Sequence, residues 1–395
     1  MGLGEVPSGE RVRIGFFGMR NAGKSSLVNA VTGQDLAVVS SVAGTTTDPV
    51  SKAMELLPLG PVVIVDTPGM DDEGALGGLR VRKARQALRG CDVAVLVVDV
   101  TRGLTPADRV LLEEFEHRKV PHVVAYNKAD LAHDESAEVD ESCLLVSAKE
   151  GVGVNALKEH IGDLARKAEH QRVLVADLVD AGDMVVLVTP IDASAPKGRL
   201  ILPQQLVLRD LLDTHASAVV CQPGELASVL DGLRRSPRLV VTDSQAFAEV
   251  AKTVPREVPL TSFSILMARY KGDLPSLVRG AKALEKLADE SHVLISEGCT
   301  HHRQCEDIGT VKLPGWIRAY VQAEPTFSFS SGGEFPDDLS SYDLVVHCGG
   351  CMLNEREMAH RMRAADEADV PMVNYGVAIA QMNGILERSI EPLGL

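Results

Sequence analysis

Two cysteines near the end of the chain have the spacing of a metal or iron–sulfur site. They lie in the run His347-Cys348-Gly349-Gly350-Cys351, directly after a short apolar stretch. A strand that ends in a tight Gly-Gly turn can direct both sulfur atoms at one point, and two intervening residues let the backbone surround one ion or cluster without strain. The residue types and their spacing therefore predict a thiolate-bound metal centre.

Further ligands of the same kind lie upstream, where Cys299 and His301 also follow an apolar run. The whole pattern is Cys-x-His, then 45 residues, then His-Cys-x-x-Cys. Three thiolates and two imidazoles are one donor too many for a closed zinc site and one thiolate short of an all-cysteine cluster. The spacing alone leaves zinc and iron–sulfur equally open, with a redox dithiol or an incidental pair as the lesser alternative. Cys305, in the polar stretch after Cys299, is an additional candidate ligand.

A phosphate-binding motif lies at the other end of the chain. An apolar strand runs into the octapeptide from Gly18 to Ser25, which matches G-x-x-x-x-G-K-S, and Ser26 continues as a helix. Glycines let the backbone amides close around phosphate oxygens at the helix N-terminus. Lys24 then reaches the β- and γ-phosphates and the Ser25 hydroxyl binds Mg²⁺. Gly18, Gly23 and Ser26 complete the predicted phosphate contacts.

A second nucleotide-binding motif follows the apolar strand Val62 to Val65, in the sequence Asp66-Thr67-Pro68-Gly69. A carboxylate at the end of this strand can hold Mg²⁺ through water, and the Gly69 amide can donate to the γ-phosphate. Asp66 and Gly69 are therefore predicted to act in hydrolysis.

Two more motifs predict that the base is guanine. A carboxylate at Asp130 can accept hydrogen bonds from both N1–H and the 2-amino group of guanine, a donor pair that adenine lacks, so it would select GTP over ATP. Ser147-Ala148-Lys149 follows another strand and can supply donors for the guanine O6. The predicted base-binding residues are Asn127, Lys128, Asp130, Ser147, Ala148 and Lys149.

The elements that carry these motifs alternate between apolar strands and amphipathic helices, which predicts an α/β protein. A doubly wound, mostly parallel P-loop GTPase domain is expected over residues 1–170, followed by two smaller α/β domains over 171–262 and 263–395. The middle domain has apolar strands, including one expected at Arg199 to Leu202, but no cluster of catalytic residues. It is therefore a candidate for contact between subunits.

Composition narrows the possible partners and the compartment. The chain has 395 residues and a net charge of −15, which disfavours general affinity for nucleic acid or anionic membranes. It contains neither an apolar run long enough for a membrane span nor a signal-peptide core, so a cytoplasmic protein is expected. Thiols stay reduced there, which favours metal binding over disulfides.

The segment Gly44-Thr45-Thr46-Thr47-Asp48 resembles the corresponding segment of the TrmE/Era branch of translation-factor-like GTPases. The resemblance implies that Thr46 is a Mg²⁺ ligand. Met70 stands where Ras-like GTPases carry a water-orienting glutamine, and a thioether cannot orient water in that way. In potassium-activated members of the branch an asparagine of the phosphate loop helps bind K⁺, and Asn21 matches it. The expected catalytic residues are Asn21, Lys24, Thr46, Asp66 and Gly69.

The GTPase motifs combined with the Cys/His pattern resemble the HydF family, the GTPases and scaffolds of [FeFe]-hydrogenase maturation. The resemblance covers the whole chain. It implies a [4Fe–4S] cluster on Cys299, Cys348 and Cys351 with an exchangeable fourth position, for which His301 and His347 are candidate ligands. It also implies a homodimer through the middle domain, and exchange of a [2Fe] precursor with radical-SAM maturases and apo-[FeFe]-hydrogenase.

Two other functions compete with a scaffold. An RNA-modification or ribosome-assembly GTPase with a structural zinc site would use the same motifs, but the negative charge and the lack of a basic cluster disfavour it. A redox enzyme that transfers electrons through the cluster is disfavoured by the missing fourth thiolate.

Overall fold

The computed structural model describes residues 8–33, 50–57, 59–69, 83–131, 143–168, 173–191, 200–298 and 308–395. The chain divides at residue 171 into two compact units. Within the described ranges, no helix is long and apolar enough to cross a membrane.

The first unit is built on one six-stranded sheet with the order β2-β3-β1-β4-β5-β6. All neighbouring strands are parallel except β2, which runs antiparallel to β3. The strands are β1 (Val12–Phe17), β2 (Val50–Leu56), β3 (Gly60–Asp66), β4 (Val93–Asp99), β5 (His122–Asn127) and β6 (Cys143–Leu145). The described helices are α1 (Lys24–Thr32), α2 (residues 83–89), α3 (Pro106–His117) and α4 (Val154–Ala168).

Both faces of this sheet are covered, because its central strands are apolar at successive positions. Val95 of β4 packs with α1 and α4 on one face, whereas Leu96 packs with α2 and α3 on the other. Successive side chains of a strand point to opposite faces, so a strand with both sets apolar must lie between two layers of helices. This confirms the predicted doubly wound α/β GTPase fold.

The second unit contains two four-stranded, fully parallel sheets, with the orders β10-β9-β7-β8 and β12-β11-β13-β14. The strands of the first are β7 (Met184–Val188), β8 (Ser217–Cys221), β9 (Leu239–Thr242) and β10 (Leu260–Ser262). Those of the second are β11 (His292–Glu297), β12 (Thr326–Ser331), β13 (Leu344–His347) and β14 (Met372–Asn374). The helices are α5 (Leu202–Asp213), α6 (Leu226–Gly232), α7 (Phe247–Thr253), α8 (Phe263–Lys271), α9 (Leu274–Ala281), α10 (Leu313–Val321), α11 (Glu355–Glu367), α12 (Tyr375–Met382) and α13 (Leu386–Ile390).

The two sheets of the second unit share a hydrophobic core. Val186 and Val240 of the first sheet belong to the same buried cluster as Val293 and Val345 of the second. The two sheets thus pack against one another, and α8 and α9 lie between them in the chain.

Some predicted elements differ from those observed. The strand predicted at Arg199 to Leu202 is not present in its described part, residues 200–202, because Leu202 starts α5. Pro203 lies in the first turn of this helix, where a backbone N–H would have no partner within the helix and its absence costs nothing. The sequence from Leu274 to Glu290 predicts a single helix, but in the structure α9 ends at Ala281 and is followed only by a 3₁₀ turn. The sequence analysis also did not predict β10 and β12.

Candidate functional site

The phosphate loop connects β1 to α1 and has the backbone conformation that its sequence requires. Gly18, Asn21 and Gly23 all have positive φ angles, of 136°, 63° and 88°. Lys24 is 7% exposed, and its ammonium donates to the carbonyl oxygens of Gly18 (3.0 Å) and Met19 (2.8 Å). The lysine is thus held across the loop, where its charge can face the β- and γ-phosphates of a nucleotide.

Ser25 and Asp66 have the geometry of a magnesium site. The Ser25 hydroxyl donates to Asp66 Oδ2 at 2.8 Å, whereas the buried Oδ1 has no hydrogen-bond partner among the described residues. Burial raises the pKa of the Asp66 carboxyl, an effect opposed by the Ser25 hydrogen bond and the Lys24 charge. A divalent cation with its water would satisfy the unpaired oxygen and favour the carboxylate. Thr46 lies outside the described residues.

Gly69 lies directly against the phosphate loop. A Cβ built on Gly69 would lie 2.8 Å from Cα of Arg20, so no larger residue fits without moving the backbone. This close approach places the end of the Asp66 motif at the loop, where the Gly69 amide can reach a γ-phosphate. Met70 falls in a range that the structure does not describe.

Asn127 ties the base-recognition motifs to the phosphate loop. Its Nδ2 donates to the carbonyl oxygen of Ala22 at 3.0 Å, and its Oδ1 accepts from the Ala148 amide at 3.0 Å. A Cβ on Gly23 would lie 2.3 Å from Asn127 Nδ2. The Asn127 side chain therefore fixes the distances between the phosphate loop, its own loop and the loop of Ala148, which would contact different parts of one nucleotide.

The carboxylate expected to read guanine is held by neighbouring residues. Ser147 donates to Asp130 Oδ1 at 2.7 Å, and the Lys149 ammonium lies 3.9 Å from Asp130 Oδ2. Lys128 forms an ion pair of 2.6 Å with Asp99, which the sequence analysis did not identify. The only available signal was the position of Asp99 at the end of β4, on the same sheet edge as the known motifs.

At the other centre, the loops after β11 and β13 meet at a cysteine sulfur. The two strands are neighbours, with Ser296 opposite His347, and the Cys348 amide donates to the Ser296 carbonyl at 2.9 Å. Cys348 Sγ accepts from the amides of Gly298 (3.0 Å) and Gly350 (3.4 Å). Backbone amides that point at a sulfur stabilise a thiolate, as in iron–sulfur proteins.

The cysteine turn itself depends on a glycine. Gly350 has φ of 63°, and a Cβ there would lie 2.7 Å from Met358 Sδ. Cys348 and Cys351 both lie on this turn. Cys299, His301 and Cys305 lie outside the described residues, although Gly298 next to Cys299 already contacts the Cys348 sulfur. The described thiols and amides fit a thiolate-bound cluster.

His347, a predicted candidate for the fourth ligand, is instead engaged in the core. It is fully buried; Nδ1 lies 2.6 Å from the Cys348 carbonyl oxygen and Nε2 lies 3.0 Å from the Arg361 guanidinium. Because a carbonyl oxygen can only accept, the proton is on Nδ1 and Nε2 accepts from Arg361. Burial, with a smaller effect of the Arg361 charge, lowers the pKa of His347 to about 3. Neither ring nitrogen is free to bind iron in this structure, which argues against His347 as a ligand.

Two buried basic residues behind the turn were not predicted. Arg361 of α11 is fully buried and pairs with Glu357, and its guanidinium also donates to the Gly332 carbonyl oxygen. Lys271 of α8 is 2% exposed and donates to carbonyl oxygens of the turn. Charged residues give no sequence signal of burial by themselves, because they are mostly exposed in folded proteins.

Comparison with protein families assigns all three parts of the chain. Residues 174–272 match the family model described as the hydrogen maturase F dimerization domain, and residues 275–392 match the hydrogen maturase F tetramerization domain. The chain belongs to the hydrogen maturase F family. Residues 13–128 match the model described as 50S ribosome-binding GTPase.

The GTPase domain of this hydrogen maturase F has many relatives among other GTPases. It is 35% identical over 191 residues to the tRNA modification GTPase MnmE of Desulfotalea psychrophila, covering 42% of this chain and 40% of that protein. It is 34% identical over 172 residues to the GTPase Der of Wolinella succinogenes, covering 40% and 36%. The chain thus spans about two fifths of the length of these curated relatives.

Solved structures of GTP-binding proteins are also similar to part of the chain. A probable GTP-binding protein engB aligns at 25% identity with a TM-score of 0.33, covering 40% of this chain and 100% of that one. Era of Aquifex aeolicus aligns at 20% identity with a TM-score of 0.36, covering 53% and 91%. The family matches thus show a GTPase domain followed by the two domains of the hydrogen maturase F family.

Proposed function

We propose that this protein is a GTP-hydrolysing scaffold that holds a [4Fe–4S] cluster with one exchangeable position. In this proposal the open position accepts a [2Fe] precursor made by radical-SAM maturases, and the protein delivers it to apo-[FeFe]-hydrogenase. The observation that carries the proposal is the Gly298 amide donating to Cys348 Sγ at 3.0 Å, which brings the residue before Cys299 to the Cys348–Cys351 turn.

The donor set supports a cluster with an open site. Cys348, Cys351 and Cys299 supply three thiolates, and the engagement of His347 with Arg361 and Cys348 takes one predicted fourth ligand out of reach. The remaining candidates for the ligand of the fourth iron are His301, an exogenous ligand and water. A cluster with one iron that lacks a thiolate supplies a site at which a second iron unit can attach.

In the GTPase domain, Lys24 holds the β- and γ-phosphates and Ser25 binds Mg²⁺, with Asp66 acting through the metal's water. Thr46 would complete the Mg²⁺ ligands. The Gly69 amide orients the γ-phosphate. Asn21, exposed and with φ of 63° in the phosphate loop, would help bind an activating K⁺ in place of a catalytic glutamine.

Self-association follows from the two family domains, and we place the homodimer contact at β8. This strand is at the end of its sheet, pairs only with β7 among the described strands, and leaves Val220 44% exposed. An exposed apolar edge strand is a template for pairing with another chain. Pairing with the same strand of a second copy would give a closed two-fold contact.

Transfer to a hydrogenase tests the proposed function. The protein is reconstituted anaerobically, loaded with a [2Fe] precursor, desalted and mixed with apo-[FeFe]-hydrogenase that contains its own [4Fe–4S] cluster; hydrogen evolution is then measured. The wild type should activate the hydrogenase, and Cys351→Ser should not. Equal activation by both proteins would show that the cluster turn does not carry the precursor.

A further inference from the structure

Lys271 connects the dimerization domain to the cysteine turn. It is the last residue of α8, which follows β10 without a loop, and it lies within the matched dimerization domain. Its ammonium donates to the carbonyl oxygens of Cys351 at 3.2 Å and Leu353 at 2.8 Å, although these residues are 80 and 82 positions away in sequence. A side chain of one domain thus holds the turn of the other.

The other end of α8 is also attached to the C-terminal sheet. Asn374, the last residue of β14, donates through Nδ2 to the Ser264 carbonyl oxygen at 3.0 Å, and Gly376 packs so closely that a Cβ would lie 2.5 Å from Ser264. Because both ends of the helix are fixed, the position of the Lys271 ammonium is determined by packing.

The location of this charge matters because it is shielded from water. Lys271 is 2% exposed, and burying an ammonium group is costly unless polar atoms compensate it. Two carbonyl oxygens of the turn do so in part, which places a positive charge directly beside the backbone of Cys351. At low local dielectric such a charge acts strongly on any negative centre carried by the turn.

We propose that Lys271 is a positioning residue of the cluster site, which fixes the cysteine turn and favours the reduced state of the bound cluster. This inference rests on the proposed function. An oxidised [4Fe–4S] cluster with three thiolates carries one net negative charge, and uptake of one electron from an external low-potential donor raises this to two, with no bond made or broken. The buried ammonium stabilises the more negative state.

The substitution Lys271→Met tests the proposal in the full-length, anaerobically reconstituted protein. It keeps most of the buried aliphatic volume and removes the charge, whereas Lys271→Arg keeps the charge. Arg279→Met is the matched control, because it removes an exposed cation from the next helix, α9. The measurements are iron per chain and the EPR signal of the reduced cluster during a dithionite titration with redox mediators.

Lys271→Met should bind iron but require a lower potential for reduction. For a charge about 10 Å away and an effective dielectric constant of about 20, the ratio of reduced to oxidised cluster should fall about fifteen-fold at the potential that half-reduces the wild type. Lys271→Arg and Arg279→Met should match the wild type within about two-fold, whereas a purely structural role for Lys271 would change iron retention without changing the potential.

An unchanged potential in Lys271→Met would overturn the inference, whether or not iron retention changes. If Lys271→Met does not fold, Lys271→Gln is measured by the same criterion. A wild type that binds no iron would instead contradict the proposed function itself, so the two failures are distinguishable.

Discussion

Replacement of Arg361 by methionine should strongly destabilise the second unit. The guanidinium is fully buried and makes contacts in several directions: to Glu357 at 2.9 Å, to His347 at 3.0 Å and to the Gly332 carbonyl at 2.6 Å. It also lies 5.0 Å from the centre of the Phe335 ring. Methionine can fill part of the volume but can donate none of these hydrogen bonds.

The magnitude follows from the groups that the substitution leaves behind. Glu357 is 14% exposed and would lose its ion-pair partner, and removing one partner of a buried pair costs about 3–5 kcal/mol. The buried Nε2 of His347 would also lose its donor, which costs about 1 kcal/mol or more. We therefore expect the free energy of unfolding of this unit to fall by about 4 kcal/mol.

The chain offers a probe that reports on this unit alone. Its one tryptophan, Trp316, lies in α10, so fluorescence excited selectively at tryptophan follows unfolding of residues 172–395 and not of the GTPase domain. With a urea dependence of about 3 kcal/mol per molar, the unfolding midpoint should fall by more than about 1 M. GTP hydrolysis should stay close to the wild-type rate below the transition.

Arg363→Met is the matched control, because Arg363 is an exposed cation on the same helix that donates a weak hydrogen bond of 3.4 Å to the Ala359 carbonyl oxygen. It should change the free energy of unfolding by less than about 0.5 kcal/mol. If Arg361→Met shifted the midpoint no more than Arg363→Met, the buried network would not stabilise the second unit as we expect.

Three further predictions concern the nucleotide site and self-association. Asp130→Asn should lower the preference for GTP over ATP at least ten-fold, and Lys24→Ala should remove most hydrolysis; equal use of ATP and GTP by the wild type would refute the assigned base contacts. Hydrolysis should be faster in K⁺ than in Na⁺, and Asn21→Ala should lose this difference; a wild type indifferent to the cation would exclude an activating K⁺. Val220→Lys should reduce the mass measured by light scattering, whereas Ile191→Lys, at an exposed site outside the strands, should not; an unchanged mass in both would place the contact elsewhere.

The convergence of the GTPase motifs could be predicted because each motif is contiguous in the sequence. Each motif follows a strand such as β3 or β5 that is apolar at successive positions, and parallel strands bring their carboxyl ends to one edge of the sheet. The pairing of Asn127 with the phosphate loop, 105 residues away, follows from that topology.

The surroundings of the cysteine turn could not be predicted in the same way. His347 was expected to act with the adjacent Cys348, but it is the last residue of β13, and successive side chains of a strand point to opposite faces. Its Arg361 partner comes from a helix further along the chain, and Lys271 from another domain. The strand β12 was missed because its serine-rich sequence at the sheet edge lacks the apolar run of its neighbours.

Metal analysis combined with EPR of the anaerobically reconstituted protein tests the central claim most directly. The wild type should contain about four iron and four sulfide per chain and give a [4Fe–4S] signal that added imidazole changes without loss of iron. Single changes of Cys299, Cys348 or Cys351 to serine should each remove most of the iron and leave GTP hydrolysis intact. One zinc per chain, bound through these cysteines with no iron, would contradict the scaffold and establish a structural zinc site instead.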